Sequence, residues 1–214
     1  IVKTNYRNLF ISNIHRTLDN FPIKGFVVSN IGNLQLLETI HININDFDII
    51  GNYTLNVYNT LTISELKHLG INKFTISSEL NRENILNLCN YTQLKKEFIV
   101  YGKLPLMHTR YCPLGKTNLC YPECDSKCSS ENIYELRDRL QMRFEILPDN
   151  IQTVTTIFNS KTISILPTEF PIDYARIDIL DENLEEINNI VNMVSNGKKF
   201  KGSEFTSGNL NRQI

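Results

Sequence analysis

The chain has 214 residues, of which 41% are hydrophobic and 21% charged, and its formal net charge is −1. That suffices for one large domain with its own core and excludes wholesale disorder. No apolar run approaches the roughly 18–20 residues of a membrane span, so no membrane partner is expected. The near-neutral balance, with no Lys/Arg run longer than two residues, argues against a protein that works by blanketing phosphates. A local basic groove stays open. The first residue is Ile1, with no initiator Met and no readable signal peptide, which gives the expectation of a piece excised from a longer, cytoplasmic chain.

The first half reads as alternating helix and strand. Residues 6–19 place Leu9, Phe10, Ile14 and Leu18 near helical spacing, and Pro22 stops the run. Residues 25–30 form a short apolar run ending in turn chemistry, which suits a buried strand. A short helix follows at 34–40, a strand at 53–59, and a helix at 62–69 that Gly70 closes. Residues 73–77 read as a strand, Asn81 starts a helix carrying Ile85, Leu86, Leu88 and Cys89, and 97–102 is a further strand. Four such units favour a parallel sheet with right-handed crossovers, either half of a β/α barrel or an open doubly wound sheet.

The second half changes character at Cys112. Residues 112–130 have loop composition, 133–139 and 143–147 alternate like a hairpin, and 155–160 and 174–179 read as strands. Asp181 is the expected cap of a helix from 182 to about 195. The tail from 196 onward reads as irregular. The chain is thus divided into residues 1–111, barrel-like, and 112–214, a cysteine-rich insert with an α+β portion.

Five cysteines are an odd number for a secreted disulfide framework, and four of them fall within residues 112–128. The set Cys112, Cys120, Cys124 and Cys128 has the soft donors that zinc or an iron–sulfur cluster requires, while disulfides and free thiols are the plainer readings. Cys89, on the apolar side of a helix, reads as a buried inert thiol. Asn30, Asn56, Asn59 and Ser77 fall at or just past strand ends, where a barrel projects its substrate-binding groups, although Asn and Ser are also ordinary turn residues. Glu79 is a candidate base or ligand, or a carboxylate that complements a helix dipole. His108 is a candidate catalytic base, a further ligand, or a hydrogen-bonded loop histidine. No serine-hydrolase, zincin, P-loop or dinucleotide motif is present.

Several segments together resemble peptidase family U32, the collagenase-like proteins. They are Leu55-Asn56-Val57-Tyr58-Asn59, Ser77-Ser78-Glu79-Leu80, Tyr101-Gly102-Lys103-Leu104-Pro105-Leu106-Met107 with Cys112-Pro113-Leu114-Gly115, Leu136-Arg137-Asp138-Arg139, Ile157-Phe158-Asn159-Ser160, and Glu204-Phe205-Thr206-Ser207-Gly208. The resemblance implies an α/β fold, a partial parallel β/α barrel followed by a cysteine-rich loop and a small α+β portion. It also implies a peptidase label, or a role with an iron–sulfur cluster in hydroxylating RNA bases or small molecules. RNA, or a peptide or protein substrate, and the remainder of its own longer chain are the implied partners. Such relatives often use a distant downstream cysteine as a ligand, whereas none follows Cys128 here. An inactive excised fragment is the third expectation.

Overall fold

A computed structural model of the chain describes residues 7–117, 120, 128, 132–149 and 154–212. Helix α1 (Arg7–Asn20) ends two residues before Pro22 and leads into strand β1 (Gly25–Val28) and helix α2 (Gly32–Thr39). Strand β2 is Asp48–Gly51, and helix α3 is Thr60–His68. Beyond α3, Gly70 takes the left-handed conformation (φ 84°) that closes a helix at no steric cost. Strand β3 (Lys73–Thr75), helix α4 (Arg82–Tyr91) and strand β4 (Lys95–Gly102) complete the alternating half.

Three expectations for the first half and the tail need correction. Residues 53–59 are not a strand: Tyr53–Leu55 is a 3-10 turn, and the strand lies just before it at β2. The reason is local asparagine chemistry. Asn52 Oδ1 accepts from Tyr53 N at 2.9 Å, Asn56 sits in the left-handed region, and Asn59 Oδ1 accepts from Thr62 N at 2.9 Å to cap α3. His108 lies within a strand rather than in a loop after one, because β5 spans Pro105–Thr109. The tail is not wholly irregular, since it contributes a two-residue strand at Phe205–Thr206.

The remaining elements are helix α5 (Pro113–Thr117), strands β6 (Tyr134–Arg137), β7 (Arg143–Asp149), β8 (Val154–Phe158), β9 (Thr162–Ser164) and β10 (Tyr174–Ile177), helix α6 (Leu184–Ser195) and strand β11 (Phe205–Thr206). The hairpin expected around residues 133–147 forms as β6–β7, with Tyr134 opposite Ile146. The cap of α6 is Asn183 and not Asp181. Its Oδ1 accepts from Glu185 N and Glu186 N while Glu186 returns a bond to Asn183 N, a closed capping box. Most of the expected cysteine-rich loop, Cys124 included, lies outside the described residues.

The result is a mixed α/β fold with two sheets. In the larger one β1, β2, β3 and β4 run parallel in sequence order, and β10 adds parallel to β4 with Ala175 opposite Phe98. The end of β4 also pairs antiparallel with β9, which carries β11. The smaller sheet is antiparallel in the order β5-β8-β7-β6.

The helices of the larger sheet cover one of its faces. Val28, Ile49, Phe74, Phe98 and Val100 from the strands pack in one cluster with Leu34 of α2, Ile63 and Leu66 of α3, and Ile85, Leu88 and Cys89 of α4. Each fully buried aliphatic or aromatic side chain there contributes about 1.5–3 kcal/mol. Because side chains alternate across a strand, the neighbouring positions Ile50, Thr75, Glu97, Ile99 and Arg176 point to the opposite face. That face mixes the buried Thr75, Ile99 and Tyr101 with the polar Glu97 and Arg176, and Val27 upon it is 56% exposed.

Candidate functional site

Five elements bring polar side chains together on the open face of the larger sheet. Arg176, on β10, is the centre. Its Nε donates to Asp178 Oδ1 at 2.5 Å, and its Nη1 donates to Asn52 Oδ1 at 2.9 Å and to Glu97 Oε1 of β4 at 3.4 Å. Thr75 Oγ1 of β3 donates to the same Glu97 oxygen at 2.8 Å, and Asn52 Nδ2 donates to Ser29 Oγ at 2.9 Å. The guanidinium carbon lies 6.0 Å from the centre of the Tyr53 ring. One guanidinium therefore ties β10 to β4 and to the end of β2, and Asn52 passes the connection to the end of β1.

The electrostatics follow from this half-buried packing. Burial would lower the pKa of Arg176, but the hydrogen bond to Asp178 and the charges of Asp178 and Glu97 outweigh it and raise the value. Burial, with the nearby charge of Asp178, pushes the Tyr53 phenol up as well. Tyr101, at the end of β4, is held well above the ordinary range by burial first and then by Glu182, to which its hydroxyl is hydrogen-bonded. Glu182 is itself fixed by Leu180 N at 2.8 Å and Asp181 N at 3.2 Å. Both phenols are thus proton donors at neutral pH, not bases.

The opposite end of the strands carries a second group of charges. Lys73 Nζ lies 2.5 Å from Asp48 Oδ2, and both Lys73 and Lys95 approach the Tyr174 ring, at 5.6 and 5.8 Å from its centre. These long side chains lie along the sheet surface while keeping their ammonium groups near water.

The residues singled out in the sequence are placed differently from one another. Asn30 Oδ1 accepts from Gly32 N at 2.8 Å and shapes the start of α2. Asn56 holds a left-handed turn and Asn59 caps α3. Ser77 is buried just past β3, where its Oγ accepts from Glu79 N at 3.3 Å. Glu79 accepts a bond from Asn209 Nδ2 at 3.1 Å, so the C-terminal segment lies against this strand end. His108 is exposed in the smaller sheet, with Nδ1 3.0 Å from Thr156 Oγ1. Arg176, Asp178, Glu97, Asn52 and Thr75 are the residues the sequence reading missed. For Arg176, Asp178 and Glu97 the one signal was charge on strands otherwise built for burial, and Asn52 and Thr75 carried none.

The cysteine set has the donor chemistry of a soft-metal site. Cys112 and Cys120 are half-buried free thiols, joined through Gly115, whose N donates to Cys112 O and whose O accepts from Cys120 N. Cys128 is also half-buried, and Cys124 lies outside the described residues. Among the described residues no three His, Cys, Asp or Glu side chains are gathered in a way that could hold a metal ion. Cys89 is buried, as its helix face implied, and desolvation pushes its thiol pKa up, which keeps it unreactive.

A parallel sheet with its crossover helices packed on one face and polar groups converging on the other defines an α/β domain. The chain belongs to peptidase family U32, whose model matches residues 4–166. It has no match among curated proteins or among solved structures. The matched stretch includes the first four parallel strands and stops before β10. Among the described residues no helix is long and apolar enough to cross a membrane.

Proposed function

We propose that the larger sheet is part of a β/α barrel and that its polar face is the substrate cavity of a U32-family enzyme of the RNA-base or small-molecule hydroxylation type. One observation carries this reading: α2, α3 and α4 pack into a single cluster on one face, as in a barrel wall, and leave Arg176, Glu97, Asn52 and Asp178 to line the other. In a doubly wound sheet the helices would divide between the two faces. Tyr53 beside the guanidinium suits a planar substrate group, which can stack on an aromatic ring.

Cys112, Cys120, Cys124 and Cys128 would hold a metal or cluster in this reading. An iron–sulfur cluster supplies one-electron chemistry, and zinc supplies a structural cross-link. The chain's own residues bind and orient: Arg176 and Asn52 offer fixed hydrogen-bonding groups, and Tyr101 and Tyr53 stay protonated beside them.

Peptidase action, which the family name favours, is the second reading. It needs a nucleophile with an adjacent base. On the polar face Ser29 Oγ accepts from Asn52 and Ser77 Oγ accepts from the backbone, while His108 stands in the other sheet. Anaerobic purification with an iron assay and a visible spectrum separates the two readings. Bound iron that falls in Cys124→Ser but not in Cys89→Ser supports the first. Peptide cleavage by iron-free protein supports the second.

A further inference from the structure

We propose that Arg176 sets the selectivity of this face, offering its Nη2 group to an uncharged carbonyl oxygen and disfavouring anions. The inference rests on reading the polar face as a substrate site and adds the charge of the group it accepts. Arg176 has three nitrogens, and two are occupied: Nε by Asp178 and Nη1 by Asn52 and Glu97. Nη2 has no acceptor among the described residues. A guanidinium presents five N–H donors in one plane, so fixing Nε and Nη1 also fixes the direction of Nη2. The frame around it is braced. Asn52 cannot exchange its amide ends freely, since its Oδ1 accepts from both Arg176 and Tyr53 N, and Glu97 is held from the other side by Thr75. The side chain remains 25% exposed, which leaves an approach from the open face.

The charge balance decides what kind of acceptor fits. Asp178 and Glu97 bring two negative charges to the single positive charge of Arg176, so the group as a whole carries an excess of one negative charge. Lys73, earlier on β3, is paired with Asp48 at the far end of the strands. An incoming carboxylate or phosphate would meet that excess in a half-buried setting where water screens poorly. An amide-type carbonyl meets only the donor. The usual use of an arginine as an anion clamp is therefore already fulfilled within the protein.

A matched pair of probes tests this. Uracil carries neutral ring carbonyls, and orotate is the same ring with an added carboxylate. In protein labelled with ¹⁵N-arginine, uracil is expected to shift the Arg176 side-chain signals and to bind at least about tenfold more tightly than orotate. Glu97→Gln removes one negative charge and should narrow that gap severalfold, and this variant keeps the test decisive if Arg176→Lys fails to fold. Tighter binding of orotate by the native chain would overturn the proposal. So would uracil binding that is equal in the native chain and Arg176→Lys, although the polar face would then still be a binding site. If neither probe shifts any residue of that face, the site reading fails together with the selectivity.

Discussion

The two sheets differ in how they hold together. The parallel sheet has one face packed under α2, α3 and α4, with Ile49, Phe74, Ile76 and Ile85 wholly excluded from solvent. The antiparallel sheet buries Ile146 and Thr155, yet Leu106 and Met107 on β5 are 56% and 54% exposed. Its ties to the larger sheet include the β4–β5 and β8–β9 connections and the ion pair of Lys103 with Glu145. The lesson concerns division of labour. Hydrophobic burial, which is non-directional, gathers in the cluster under the helices of one sheet, while directional polar contacts gather on that sheet's other side.

That contrast can be broken at its strongest point first. Phe74→Ala removes a fully buried ring from the common cluster and should cost about 3–5 kcal/mol in urea unfolding, whereas Ile157→Ala, half-buried on β8, should cost no more than about 2 kcal/mol. Equal losses would show that the two sheets share the stability. A backbone change comes next. Gly102 has φ 135°, and an added Cβ would stand 2.5 Å from Asp178 O, so Gly102→Ala should cost about 1–3 kcal/mol and displace Asp178 from Arg176. Unchanged Arg176 side-chain signals in that variant would detach the glycine from the site.

Much of this division was legible from residues alone. Apolar periodicity located α1, α3 and α4, and short β-branched runs located β1, β3 and β4, because burial on a helical or pleated face leaves those periods in the sequence. β2 was missed because its Ile49-Ile50 pair is flanked by aspartates and glycine, whereas the alternation at Tyr53, Leu55 and Val57 imitated a strand. The side chains of Asn52 and Asn59 and the left-handed backbone of Asn56 show why the chain turns there. The site was less legible. Asn30, Asn56 and Asn59 stand where a barrel would use them, and the Asn30 and Asn59 side chains also shape the starts of α2 and α3, while Asn56 holds a left-handed backbone turn. Besides the neighbouring Asp178, Arg176 gathers partners from two distant parts of the chain, up to 124 positions away, and no local spacing records such a meeting.

The smallest expected effect is a pH dependence at the entry to β10. Lys96 N donates to Asp173 Oδ2 at 2.8 Å, and this bond, followed by the charge of Lys96, holds the carboxyl below its ordinary value of 3.8. A depressed carboxylate stabilises the fold above that ordinary value, and the contribution disappears as the pH falls through the lower folded value. Asp173→Asn should therefore be less stable than the native chain at neutral pH and converge with it in acid. Thermal unfolding of both between neutral pH and pH 2 would show the convergence, and parallel curves would contradict it.

The claim that the open face of the parallel sheet receives substrate is tested most directly by photocrosslinking. RNA carrying 4-thiouridine would be irradiated with the intact chain and the attached peptides mapped by mass spectrometry. Attachment within residues 50–53, 75–77, 97–101 and 174–178, competed by unlabelled RNA, is the expected result. Attachment confined to residues 105–109 and 134–158 of the antiparallel sheet, or to helices α2–α4, would contradict it.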